Sequence, residues 1–368
     1  MRKRRRRWAR LRIKPEIRAR IIKPIGSVAV LLLVLAVILA TSSFLEQQQQ
    51  SAITSKLEEE QKHESLTLWT EENTMVFNGD MYGFDDRIET YLFIGTDESG
   101  GLDSVDGMYR GPMADFLMLL VMDHTIDTIG YIMIDRNTVT EVRELDLDGK
   151  EIASRELQIC TAHWFGRSPE MAAENTEYAV RQFLGGLDHI DGYFVLSLKN
   201  IAKLNHSVGG VEVQIQDDMS ELDPALYEGH ILTLSDEQAE KYLRARTGVG
   251  RGDNASRMRR QMEYMYSLFS KVRVETAANP KFALRMYEAL REAGTTDMTG
   301  NDFSRIAQKL LLGEDKGFYE FDGVTIEGHV LQDGETHEEF YADDTSMRRV
   351  MSNLFSLIPL KFGEDYGK

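Results

Sequence analysis

Hydrophobic residues divide the chain into one long apolar run and a longer region where short apolar runs alternate with polar segments. Residues 25–45 contain no charged side chain and are rich in Val, Leu, Ile and Ala. About 20 such residues are enough to cross the hydrocarbon core of a bilayer as a helix. The pattern therefore predicts one transmembrane helix over residues 25–45.

A cleaved signal peptide is the alternative interpretation of this run, because residues 40–42 (Ala-Thr-Ser) resemble a cleavage site. The long basic segment before the run favours a retained anchor instead. Residues 1–24 carry twelve Lys or Arg and a single acid, Glu16. By the positive-inside rule these residues form a cytoplasmic tail, and the C-terminal part of the chain lies outside the cell.

Residues 46–84 are polar and include a run of glutamines, so we predict a stalk between the membrane and a folded domain. From residue 85, runs of strand length alternate with segments of helical periodicity, and the polar break at 123–127 predicts a hairpin. This alternation predicts an α/β domain over residues 85–362, with three α-β-α layers around a central mixed sheet. The predicted strands are 90–96, 116–122, 128–134, 192–198 and 324–330, and the longer predicted helices are 169–184, 255–272, 281–293, 301–312 and 345–357.

Charge is distributed unevenly along the chain. The formal net charge is −17, but removal of residues 1–24 leaves 31 basic and 59 acidic residues, a balance of −28. An acidic domain with a short basic arm is not typical of nucleic-acid-binding proteins, so we expect no nucleic-acid partner. Cys160 is the single cysteine, which excludes an intrachain disulfide, and the chain has no HExxH, GxSxG or P-loop motif.

Polar residues stand at the ends of three predicted strands. Asp97 follows the first strand, Asp115 precedes the second, and Arg136 follows the third. Strand ends are the usual positions of functional groups in α/β sheets. Two carboxylates suit Mg²⁺, and a guanidinium suits bidentate contact with phosphate. Turn-forming aspartates and a surface arginine are the purely structural alternative.

Arginines are concentrated in residues 242–261 of this otherwise acidic domain. Two of them follow a predicted helix, and the others begin the next helix after the Gly-rich loop 248–252. The spacing i, i+3 and i+4 places three polar side chains on one face of that next helix. The cluster predicts a cradle for pyrophosphate or another polyanion, and a solvated run of charge is the alternative. The candidate phosphate ligands are Arg244, Arg246, Arg257, Arg260 and Gln261.

Segments from both clusters, taken in order, resemble the LytR-CpsA-Psr family of cell-envelope proteins. They are YLFIGTDESG, ADFLMLLVMD, MIDRNT, a central block that ends in GGVEVQI, YLRART and DNASRMRRQ. These segments resemble the family's first strand and its SDT, IPRDT, GGV, YxRxR and GRxxRQ motifs. The resemblance covers residues 88–275 and extends more loosely to the C-terminus.

The resemblance implies a phosphotransferase that moves a glycopolymer from a polyprenyl-pyrophosphate carrier to a hydroxyl group of peptidoglycan. Asp97 and Asp115 match the family's metal-binding aspartates, which implies Mg²⁺ as the cofactor. Arg136 matches the arginine of IPRDT, and the arginine cluster matches the residues that contact phosphate. The carrier lies in the lipid bilayer, which agrees with a single-pass membrane protein whose C-terminal domain is extracytoplasmic.

The chain departs from the family motifs at several positions, with the loss of one potential phosphate contact and one carboxylate. Asp135 is a candidate to supply the missing charge from the neighbouring position. The departures motivate a second hypothesis, a non-catalytic polyprenyl-phosphate binder that acts as an envelope sensor or scaffold. The changes are Met113 for Arg, Phe116 for Thr, Asp135 for Pro, Asn137 for Asp, and Cys160 for Asn.

A third hypothesis is transcriptional attenuation, a label that the family has also carried. It requires that residues 1–24 bind DNA. A basic tail of this length beside a membrane contains no DNA-reading fold, so the sequence disfavours this role.

Overall fold

The structure is a computed structural model that describes residues 73–97, 111–246, 248–330 and 336–360, all within one compact unit, residues 68–368. The predicted cytoplasmic tail and transmembrane helix lie outside these residues. Within the described ranges, no helix combines the length and apolar character needed to cross a membrane.

The described residues form strands and helices in mixed order. The strands are β1 (Thr74–Phe77), β2 (Asp80–Gly83), β3 (Ile88–Thr96), β4 (Ala114–Asp123), β5 (Thr128–Met133), β6 (Val139–Leu145), β7 (Glu151–Gln158), β8 (Gly192–Ser197), β9 (Glu212–Gln214), β10 (Ile231–Thr233), β11 (Gly294–Thr296), β12 (Glu314–Glu320), β13 (Gly323–Val330), β14 (Thr336–Ala342) and β15 (Ile358–Pro359). The α-helices are α1 (Pro169–Phe183), α2 (Ile201–Ser207), α3 (Asp236–Arg244), α4 (Asn254–Ala278), α5 (Phe282–Arg291), α6 (Gly300–Leu312) and α7 (Asp344–Phe355), and 3₁₀ helices cover Ile159–Trp164 and Leu198–Asn200.

A six-stranded mixed sheet in the order β11-β8-β3-β4-β5-β12 forms the centre of the domain. β3 pairs parallel with β8 and antiparallel with β4, and β4 pairs antiparallel with β5. The β4–β5 hairpin closes at the pair Asp123 and Thr128, which is the predicted polar break. The predicted mixed α/β sheet is therefore confirmed.

The central strands bury both of their faces, because helices cover the sheet on each side. Leu92 of β3 and Leu119 of β4 belong to a core cluster that includes buried residues of α1 and α7. Tyr91 and Leu120, one position away in the same strands, belong to a second cluster with residues of α3, α4, α5 and α6. Successive side chains of a strand point to opposite faces, so these two clusters form the two core layers of an α-β-α arrangement.

The folded part begins earlier than the predicted boundary at residue 85. β1 and β2 form an antiparallel hairpin, and β15 adds to β2. Asn78 and Gly79 make the two-residue turn with φ values of 54° and 82°, which is typical of tight hairpins. Met75 and Phe77 are buried in the core. This corrects the predicted stalk, whose last residues belong to the domain.

Two hairpins, β6–β7 and β13–β14, form separate two-stranded sheets outside the central sheet. The backbone N–H of Phe340 in β14 donates to the carbonyl of Asn137 at 2.9 Å, and an isolated parallel bridge joins Thr138 to Phe340. These contacts attach β14 to the segment that directly follows β5. A strand near the C-terminus thus lies beside Arg136 and its neighbours.

Candidate functional site

Asp115, the second residue of β4, forms ion pairs with two arginines that are distant in sequence. Its Oδ1 lies 3.1 Å from Nη1 of Arg136, and its Oδ2 lies 3.4 Å from Nη1 of Arg257. The two arginine side chains are only 12% and 6% exposed, so water screens these pairs weakly. The structure brings together one predicted carboxylate and two predicted arginines. We call Asp115, Arg136 and Arg257 the Asp115 cluster.

The start of α4 positions Arg257. Asp253 caps the helix by accepting a hydrogen bond from the backbone N–H of Ser256 at 2.8 Å. Asn254 then accepts from Nη2 of Arg257 at 2.8 Å and donates to Oδ1 of Asp135, also at 2.8 Å. The positive end of the helix macrodipole therefore lies beside the cluster, where it favours an anion.

The Gly-rich loop before α4 needs glycine for its backbone shape. Gly248, Gly250 and Gly252 have φ values of 75°, 55° and 74°, in the left-handed region that other residues rarely adopt. A Cβ atom on Gly250 would also lie 2.6 Å from Oδ1 of Asp217. The loop can therefore turn tightly enough to bring α3 and α4 together.

Asp97 lies at the same edge of the sheet, directly after β3. Its backbone N–H donates to the carbonyl of Met113 at 3.3 Å, and the N–H of Met113 donates to Oδ1 of Asp97 at 3.1 Å. Asp97 and Asp115 are hard oxygen donors on neighbouring strands. Carboxylate oxygens are ligands that Mg²⁺ prefers, and this ion is usually held by one or two carboxylates together with substrate phosphate oxygens and water. Within the described ranges, no three His, Cys, Asp or Glu residues are grouped as a complete metal site.

An apolar cavity borders the Asp115 cluster. It lies between the central sheet and helices α4, α5 and α6, and most of its lining is aliphatic, aromatic or methionine. Phe116 and Gln261 line the cavity. Phe116 directly follows Asp115, and Gln261 lies one helical turn after Arg257. The cavity and the charged cluster therefore share one border.

Arg246 contacts a carboxylate that the sequence analysis did not identify. Its Nη2 lies 3.4 Å from Oε2 of Glu338 in β14, and Nδ2 of Asn137 donates to the same oxygen at 3.3 Å. Glu338 has no local motif around it, and only the docking of β14 next to Asn137 brings it to the site. No sequence signal could have identified it.

Comparison with known proteins identifies the family. The LytR_cpsA_psr family model matches residues 41–354. The chain belongs to the LytR_cpsA_psr family. A search of curated protein sequences finds no match.

Solved structures that are similar to this LytR_cpsA_psr domain include TagV of B. subtilis, with 20% identity, a TM-score of 0.54 and coverage of 75% of this chain and 100% of TagV. Protein gbs0355 from Streptococcus agalactiae has 17% identity, a TM-score of 0.57 and coverage of 75% and 90%. TagT bound to LIIa-WTA has 15% identity, a TM-score of 0.52 and coverage of 74% and 93%. At these identities the likeness establishes the fold.

Two departures from the family motifs place sulfur atoms beside Arg136. Its Nη2 lies 3.2 Å from Sδ of Met113 and 3.3 Å from Sγ of Cys160. Burial raises the pKa of the Cys160 thiol, which therefore stays protonated. Thiol and thioether sulfur are weak acceptors. This family member consequently holds Arg136 mainly through Asp115.

Asp135, the candidate for the missing carboxylate of the IPRDT-like segment, binds amide groups. Its Oδ1 accepts from the backbone N–H of Asn137 and from Nδ2 of Asn254, each at 2.8 Å. Asn254 connects Asp135 to Arg257, because its amide forms a hydrogen bond with each of them. The carboxylate that contacts both Asn137 and an arginine is Glu338.

Arg260 and Arg244 are not part of the Asp115 cluster. Arg260 is fully buried and donates to Oδ2 of Asp217 at 2.6 Å and to the carbonyl oxygens of Tyr242 and Ala245. It anchors the end of α3 on α4, so it positions the segment that carries Arg246. Arg244 forms an ion pair with a glutamate one turn earlier in α3.

His163 is a buried group near the site that the sequence analysis also missed. Its Nδ1 lies 3.1 Å from the carbonyl oxygen of Pro112, so Nδ1 carries the proton of the neutral ring. Burial lowers its pKa to about 4, an effect that the bond to Pro112 only partly offsets. Its Nε2 has no hydrogen-bond partner among the described residues.

Proposed function

We propose that this protein is a Mg²⁺-dependent phosphotransferase that moves a glycopolymer from a polyprenyl-pyrophosphate carrier to a hydroxyl group of peptidoglycan. The observation that carries the proposal is the shared border between the Asp115 cluster and the apolar cavity. Guanidinium groups suit a pyrophosphate, and a cavity with an apolar lining suits a prenyl chain. TagT, which has the same fold, is solved with LIIa-WTA bound, and this supports a polymer of that class as the cargo.

The charged side chains act by position and charge. Arg136 and Arg257 bind phosphate oxygens, and Asp115 keeps both guanidinium groups directed to one place. Catalysis of phosphoryl transfer depends largely on such positioning and on stabilisation of charge in the transition state. Asp97 and Asp115 would hold Mg²⁺, which would further neutralise the phosphate charge.

In the proposed reaction, the hydroxyl oxygen of the acceptor attacks the phosphorus that carries the glycan. A new P–O bond forms, and the bond between this phosphorus and the oxygen of the polyprenyl phosphate breaks. Polyprenyl phosphate leaves with the bonding electrons, and the hydroxyl proton is released. The cavity retains the prenyl chain throughout, so the leaving group stays next to Arg136 and Arg257.

Transfer can be tested with the full-length protein in detergent micelles. The assay contains Mg²⁺, a polyprenyl-pyrophosphate-linked glycan and peptidoglycan oligomers, and mass spectrometry detects the product. Arg136→Ala should slow transfer roughly 10²- to 10³-fold, as expected for loss of one preorganised charge-stabilising group. Arg349→Ala is the matched control, because that arginine is 70% exposed and pairs with Asp322 on the surface. Absence of transfer by the wild-type protein would refute the proposal.

A second candidate function is lipid binding without transfer, as an envelope sensor or scaffold. It is favoured by the sulfur contacts of Arg136 and by the neutral Asn137 in the IPRDT-like segment. The same preparation distinguishes the two functions. A pure binder takes up polyprenyl phosphates in a calorimetric titration but forms no peptidoglycan-linked product.

We also propose that residues 25–45 anchor the domain at the outer face of the cell membrane, close to the lipid carrier. The uncharged apolar run and the basic tail before it support this location. Membrane fractionation with protease treatment of intact cells tests it. Recovery of the domain in the soluble fraction, or its protection from the protease, would contradict the proposed anchor and orientation.

A further inference from the structure

Glu338 holds one edge of the Arg246 guanidinium through a weak contact. Its Oε2 lies 3.4 Å from Nη2 of Arg246 and 3.3 Å from Nδ2 of Asn137, both long for hydrogen bonds. The side chains of Arg246 and Glu338 are 36% and 22% exposed, so water reaches the ion pair. Partly exposed pairs of this kind contribute little stability. A phosphate that binds at a shorter distance can therefore replace this carboxylate.

The backbone that carries Glu338 is held firmly. Nε2 of Gln158 donates to the carbonyl oxygen of Glu338, and the N–H of Phe340 donates to the carbonyl of Asn137 at 2.9 Å. The strand is thus attached to the segment that follows Arg136. Rotation of the Glu338 side chain alone can free Arg246, and the hairpin need not move.

Asn137 makes this placement of a carboxylate favourable. Its amide nitrogen donates to Oε2 of Glu338, whereas an aspartate at position 137 would set a second carboxylate against it. Two carboxylates at such a distance repel each other and resist ionisation together. The neutral Asn137 in the IPRDT-like segment therefore accommodates the glutamate of β14, because it donates a hydrogen bond to a carboxylate that an aspartate would repel. In this protein, the carboxylate that contacts Arg246 and Asn137 comes from β14.

We propose that Glu338 is an internal anion that competes with phosphate for Arg246 and thereby sets how tightly the site holds pyrophosphate. It turns away when a phosphate oxygen binds Arg246, and it returns when the phosphate leaves. The proposal rests on the proposed function only in that it takes pyrophosphate as the ligand of the arginines. A site that releases its phosphate readily favours turnover over retention of product.

Titration calorimetry of the full-length protein with inorganic pyrophosphate, at fixed Mg²⁺ and low salt, tests this competition. Glu338→Gln keeps the shape of the side chain but removes its charge, and it should bind pyrophosphate about fivefold more tightly. Glu339→Gln is the matched control, because the adjacent side chain points to the other face of the strand and bonds Tyr341 at 2.9 Å. The control should stay within about twofold of the wild type. In an Arg246→Ala background, the gain from Glu338→Gln should fall below about twofold.

Three other outcomes of these titrations would overturn the inference. Equal or weaker pyrophosphate binding by Glu338→Gln, at an unchanged melting temperature, would overturn this inference and leave the proposed function intact. An equal gain in the Arg246→Ala background would show that Glu338 does not act on Arg246, which also overturns it. Absence of pyrophosphate binding by both the wild type and Glu338→Gln would overturn the inference and the proposed ligand class together.

Discussion

Replacement of Asp115 by Asn removes a negative charge that two buried arginines share. Arg136 and Arg257, whose side chains are 12% and 6% exposed, would each lose an ion pair, while the amide oxygen of the substituted side chain still accepts hydrogen bonds. Loss of one partner of a buried ion pair costs about 3–5 kcal/mol. Because the amide keeps part of the contact, we expect about 3 kcal/mol here. Because the unfolding entropy of a domain with more than about 250 residues is large, that loss lowers the unfolding midpoint by only about 5 °C.

Thermal unfolding followed by circular dichroism, in one detergent and one buffer, measures this shift. Arg349→Ala removes an exposed pair with Asp322 and should cost less than about 1 kcal/mol. Inorganic pyrophosphate should raise the midpoint of Asp115→Asn, because a ligand that binds only the native state stabilises it by mass action. A midpoint of Asp115→Asn no lower than that of Arg349→Ala would refute the view that Asp115 neutralises two buried charges.

Three other perturbations test separate features. Burial lowers the pKa of His163 to about 4 from the ordinary value of 6.5, so its contribution to stability is intact above pH 6.5 and is lost as the pH falls toward 4. Between pH 6.5 and pH 4, the free energy of unfolding measured with urea should fall by about 3 kcal/mol less in His163→Gln than in the wild type. Equal losses in the variant and the wild type would contradict this. Met265→Trp should fill part of the cavity and weaken binding of prenyl pyrophosphates, with inorganic pyrophosphate unaffected in calorimetry; equal weakening of both ligands would count against a prenyl site. Asn137→Asp should lower the melting temperature through repulsion by Glu338, and Glu338→Gln in the same chain should restore it; a failure to restore would remove repulsion as the cause.

The central strands and main helices could be predicted because they bury continuous or periodic apolar surface. β4 and β5 are buried along almost their whole length, and their apolar runs stand out from the polar break between them. β7 was not predicted, because most of its residues are exposed and its sequence has no alternation of apolar and polar residues. β1 and β2 were missed for a related reason, since each contributes only a few buried residues within a polar segment.

Helical spacing was a partial guide to the arginines. Positions i, i+3 and i+4 placed Arg257, Arg260 and Gln261 on one side of α4, but the three side chains meet different neighbours. Arg257 pairs with Asp115, Arg260 pairs with Asp217 and the end of α3, and Gln261 lines the cavity. Spacing predicts a shared face of a helix, whereas the partners depend on which elements pack against each part of that face.

Local patterns and ordered motifs along the chain predicted the family, the mixed α/β architecture and three candidate site residues, Asp115, Arg136 and Arg257. Three features could be seen only in the folded domain: one carboxylate serves both arginines, an apolar cavity borders them, and Glu338 contacts Asn137, which is 201 positions away. Such contacts depend on how distant strands dock, and docking is set by the sum of many weak packing and backbone interactions. No single segment of the chain carries that information.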